Sequence, residues 1–73
     1  MMQTKFIITM ITPARPDLTY YYAGHRFGSN VFELKKSLAK RYDFLEEADR
    51  DARTLTAVSK PDTFKVITVR CRT

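Results

Sequence analysis

The sequence predicts a small α+β domain, a mainly antiparallel sheet of four or five strands with one helix packed on one face. Three observations carry this. Short β-branched runs are separated by Pro, Gly and Asn turn signals, a single stretch from 43 to 58 has helical periodicity, and 73 residues leave room for one domain only, residues 1–73. A chain of this size buries only about 60% of the surface its unfolded form exposes, so its core is marginal. Cys71 is the only cysteine, so no internal disulfide can reinforce it. Self-association is the remaining common remedy, and a homodimer is the corresponding expectation.

Residues 5–12, Lys-Phe-Ile-Ile-Thr-Met-Ile-Thr, are β-branched or apolar on both alternating faces, Phe6/Ile8/Met10 and Ile7/Thr9/Ile11. That pattern suits a strand inside a sheet. Pro13 to Asp17 interrupts it with two prolines, and Leu18 to Ala23 restores it, which predicts a hairpin. Gly24 to Tyr42 admits two readings. Asn30-Val31-Phe32-Glu33 resembles a capping box, with Val31, Leu34, Leu38 and Tyr42 near helical spacing. Alternatively, Gly28-Ser29-Asn30 is a turn that returns Val31 to Leu34 along the second strand, with Leu38 to Tyr42 as another short extended piece. The second is favoured, because a helix ending at Tyr42 would have no Gly or Pro to stop it.

The helix at 43–58 has Asp43 as its expected N-cap, three residues before Glu46, and Leu45, Ala48, Ala52 and Leu55 as its apolar stripe. Its two alanines would let it lie close to a sheet. Glu46-Arg50 and Asp49-Arg53 fall at i,i+4 on its flanks. Lys60 to Thr63 reads as a turn, and Phe64 to Arg72 closes the chain as a strand with Ile67, Val69 and Cys71 on one face and Thr68, Arg70 and Arg72 on the other.

The formal charge of +5 is unevenly placed. Residues 1–42 carry seven Lys/Arg against Asp17 and Glu33, whereas residues 43–73 carry six of each sign. The excess therefore lies wholly in the first half, where it could attract nucleic acid, an acidic protein face or a membrane surface, or simply keep the chain soluble. The apolar run Phe6 to Ile11 is too short to span a membrane, and Pro13 and Arg15 follow it in place of a small-residue cleavage site. With its lone thiol, the chain reads as soluble and cytoplasmic, with no membrane partner.

Catalysis is not predicted. His25 and Cys71 are the only His and Cys, they lie far apart in sequence, and no third residue stands out to orient them. One His and one Cys cannot complete a tetrahedral metal site, the acidic run 43–51 lacks the spacing of a calcium loop, and no glycine-rich phosphate loop occurs. No cofactor is expected. The residues expected to contact a partner are Tyr21, Arg26, Lys35, Lys36, Lys40 and Arg41. Exposed Tyr and Arg are the types that dominate protein interfaces, which makes a protein or protein complex the leading partner. Tyr20, Tyr21 and Tyr22, with Arg15, His25, Arg26, Lys35, Lys36, Lys40 and Arg41 near them in sequence, could combine base stacking with phosphate contact, so DNA or RNA is the alternative.

Ala39-Lys40-Arg41-Tyr42-Asp43, followed by Glu46-Glu47-Ala48 and then Ala52 and Leu55, resembles a pattern in small phage and prophage accessory proteins, over residues 39–69. The resemblance implies a sheet with one packed helix and a non-enzymatic role. Some phage proteins of this size, certain anti-CRISPR inhibitors among them, occlude a host machine, which suggests by class analogy an inhibitor of a host protein complex. The shared positions are structural, so no functional residue is carried over.

Overall fold

The computed structural model describes residues 2–72. β1 (Met2–Thr12), β2 (Arg15–Arg26), β3 (Ser29–Glu33) and β4 (Thr63–Arg72) form one antiparallel sheet in the order β3-β2-β1-β4, and α1 (Leu45–Val58) covers one face. The expected fold class is thus the observed one. The hairpin turn is tighter than the sequence suggests, because β2 already begins at Arg15. Pro16 is accommodated near the start of that strand, where a missing donor costs little.

The register sorts the side chains. Phe6, Ile8 and Met10 pair with Thr68, Val66 and Phe64, and Met10 pairs with Tyr20, so these residues share the helix-bearing face. There Ile8, Tyr22, Tyr42, Ala48 and Leu55 form the core, with Phe6, Phe32, Ala52, Phe64 and Val66 packed around them. Tyr22 and Phe64 flank Phe32 with ring centroids 5.7 and 6.1 Å away, within the range of favourable aromatic contacts. Ile7, Thr9, Tyr21, Ile67, Val69 and Cys71 lie on the opposite, open face.

Segment 31–42 resolves in favour of the extended reading. Ser29–Glu33 pairs with β2, Lys36–Leu38 makes a single 3-10 turn, and the chain then extends through Ala39 to Tyr42. Here the sheet is wedged open. β1 and β2 pair only between Thr9 and Thr12, and beyond that point Tyr42 exchanges both backbone hydrogen bonds with Phe6, at 2.9 and 2.8 Å, while Lys40 N–H donates to the Tyr22 carbonyl at 2.8 Å. Residues 39–42 therefore satisfy backbone groups that the diverging strands leave unpaired.

The expected capping box does not form. Phe44 occupies the N-cap with no side-chain hydrogen bond, and the Asp43 carboxylate is drawn instead to the Lys5 ammonium across the sheet. Glu46 and Glu47 still place negative charge in the first turn, where the helix dipole favours it. Leu45 is 46% exposed, so the stripe that packs on the sheet is Ala48 and Leu55, buried, with Ala52 partly buried beside them. The anticipated Glu46-Arg50 and Asp49-Arg53 pairs are also absent among the described residues, and Arg50 Nε approaches Asp51 at 4.0 Å.

Ala48 is fully buried in the core at the helix–sheet contact. Ala48→Leu is expected to destabilise the fold by about 1–3 kcal/mol through overpacking, read as a lower urea midpoint with an unchanged slope.

Candidate functional site

β2 leaves β1 after Tyr21 and continues with β3 alone as a two-stranded hairpin. A bulge between Tyr22 and Gly24, with Gly24 at φ 112°, bends it. His25 Nδ1 and Asn30 Oδ1 lie 3.1 Å apart across the pair, and every residue from His25 to Asn30 is exposed. Arg26 and Ser29 face each other, so the connecting loop is the dipeptide Phe27-Gly28, with φ 53° and 78°. Positive φ at both positions marks a type I′ turn, which favours Asn-Gly. A phenylalanine in this conformation costs roughly 1–2 kcal/mol in backbone strain. Phe27 is also fully exposed, so its ring recovers nothing by packing.

A second feature lies on the open face. Lys36, Ser37 and Arg41 form one wall of a groove of about 420 Å³ with Ile7, while Thr68, Val69, Arg70 and Cys71 form the other. Its lining includes the cations Lys36 and Arg41 and no carboxylate, together with apolar Ile7 and Val69, while Arg70, paired with Thr4, belongs to the helix-bearing face. The groove thus presents positive potential beside apolar surface, a combination suited to an acidic segment.

The six residues singled out from the sequence are therefore dispersed. Lys36 and Arg41 meet at the groove, and Lys35 adjoins them at the start of the 3-10 turn. Arg26 stands at the hairpin tip beside Phe27. Tyr21 is half-buried on the open face, paired with Thr9 and Glu33. Lys40 points the other way. Its ammonium sits 4.9 Å from the centroid of the Tyr42 ring and 3.9 Å from Asp51, inside a network in which Tyr42 O–H donates to Asp51 Oδ2 at 2.6 Å. It stabilises the chain's own fold. His25 and Cys71 are not assembled into a pair, since one lies on the β2–β3 hairpin and the other on β4, at opposite sides of the sheet order.

Phe27 is the addition that sequence reasoning missed. The signal for Phe27 was a Phe-Gly dipeptide between two strand-like runs, at the place where Asn-Gly is the favoured solution.

Among the described residues no helix is long and apolar enough to cross a membrane. No family model matches the chain, and neither a curated protein nor a solved structure matches it significantly.

Burial, and then the hydrogen bond and negative charge of Asp51, push the Tyr42 hydroxyl well above the usual tyrosine range, and Tyr22 is raised by burial and the same carboxylate. The native state thus retains a phenolic proton that the unfolded chain releases near pH 10. This stabilisation is complete below about pH 10 and is lost as pH rises beyond it. Tyr42→Phe is expected to lower stability by about 1–3 kcal/mol at neutral pH, since a hydrogen bond to a charged acceptor is lost. It should also flatten the alkaline decline. Urea titrations at neutral pH and above about pH 10 check both effects.

Proposed function

We propose that this chain is a non-enzymatic accessory protein that inhibits or modulates a partner protein by docking on it. Phe27 is the apolar anchor, Arg26 flanks it, and the groove at Lys36 and Arg41 receives an acidic stretch of the same partner. The observation that carries this reading is Phe27, a large aromatic held in a left-handed turn with nothing of its own chain to cover it. Local stability disfavours this residue here, and a large exposed aromatic is the kind of side chain that dominates binding when it enters a pocket. The resemblance of residues 39–69 to phage accessory proteins supports a host protein complex as the class of target, in a cytoplasmic setting.

Nucleic-acid binding is less well supported. Tyr20 and Tyr22 lie on the helix-bearing face, Tyr22 is buried, and Tyr21 is paired with Glu33. The cations of the groove therefore have no exposed tyrosine beside them on which bases could stack.

Phe27→Asn separates fold from function. Asn-Gly suits the turn, so the variant is expected to be more stable by about 1 kcal/mol. It is expected to lose at least about tenfold in affinity for a host protein retained by the unmodified chain, as does Lys36→Glu/Arg41→Glu. Quantitative capture with all three baits, beside a salt series on random DNA and RNA, tests this. A partner retained equally by Phe27→Asn, or tight nucleic-acid binding that weakens steeply with salt, contradicts the proposal.

A further inference from the structure

β4 is an edge strand ten residues long, paired with β1 in an unbroken register from Met2–Arg72 to Ile11–Thr63. The opposite edge, β3, has five residues and a bulged partner. β4 has neither bulge nor proline, two devices by which proteins blunt an open edge. The direction of its free backbone groups follows from Tyr42. Phe6 turns its N–H and carbonyl toward Tyr42, away from β4, so Lys5, Ile7 and Thr9 turn theirs toward β4. Their partners Val69, Ile67 and Lys65 face back to β1. Phe64, Val66, Thr68, Arg70 and Arg72 consequently direct their backbone groups outward, where no described residue pairs with them.

We propose that this edge pairs antiparallel with the β4 edge of a second copy of the chain, about a two-fold axis at Thr68, joining the two sheets. In that register Ile67 of one copy opposes Val69 of the other on the open face, so half-buried apolar side chains meet. Val66 opposes Arg70, Phe64 opposes Arg72 and Lys65 opposes Cys71, so no two like charges are directly opposed. Charge complementarity selects the second copy as the occupant. A groove of about 360 Å³ beside the free edge is lined by Asp49, Ala52, Arg53, Thr56, Phe64 and Val66, and Asp49 has no ion-pair partner among the described residues. Arg70 of the second copy, opposite Val66, enters this groove on the side of Asp49. The two-fold axis makes that contact twice. A marginal core gains the stabilisation that a chain without disulfides lacks.

Sedimentation of the full chain is expected to show a concentration-dependent dimer. Thr68→Pro removes a donor that points outward and leaves the β1–β4 ladder whole, so it should weaken the dimer at least about tenfold with an unchanged circular dichroism spectrum. Asp49→Arg and Arg70→Asp should each weaken it, and the double variant should restore it. In a Cys71→Ser background, Thr68→Cys should form a disulfide-linked dimer on mild oxidation. A chain that stays monomeric at all concentrations overturns the proposal. So does a dimer that resists the charge reversals and does not cross-link through Thr68→Cys. Phe27→Asn is expected to leave the dimer unchanged, which separates this edge from the docking tip.

Discussion

The insertion of Tyr42 between two diverging strands is the constraint on which the rest of the structure depends. Its backbone closes the gap beside Phe6, its ring fills the core under α1, and its hydroxyl reaches Asp51 on the helix. One residue thus ties the sheet to the helix and fixes where the connecting segment lies. Deep burial of a phenol is tolerated because its polar tip has a charged acceptor, itself within reach of Lys40. The helix can sit close over this point because Ala48 presents so little volume.

The division of labour among the basic residues follows from the same insertion. An extended segment alternates its side chains between the faces of a sheet. Lys40 and Tyr42 accordingly belong to the helix side, where Lys40 lies over the Tyr42 ring, while Arg41 turns to the open face and joins Lys36 at the groove. Adjacent cations in the sequence therefore do different work. The wedge also separates β2 from β1, which frees the β2–β3 hairpin to carry Phe27 away from the core.

Much of the fold was legible because local patterns matched their periods. Ile67, Val69 and Cys71 share a face as their alternation implies, and Ala48, Ala52 and Leu55 form the helical stripe. The capping box was misread because Asp43 had a competing partner, Lys5, from a strand 38 positions away. Of the candidate surface, Lys36 and Arg41 could be nominated by type. Their separation from Lys40 depends on a strand insertion that sequence spacing does not encode. Phe27 was overlooked because the sequence reading began the turn at Gly28, one residue beyond the strained position.

If residues 39–42 are part of the sheet, their amides must be protected like those of a strand. Native-state hydrogen exchange at Phe6, Lys40 and Tyr42 tests this directly, because each amide donates to a backbone carbonyl across the wedge. Opening free energies close to that of global unfolding, matching Ile8 in the core, are the predicted result. Exchange of Lys40 and Tyr42 at the rates of a frayed loop, with Ile8 still protected, would contradict the account.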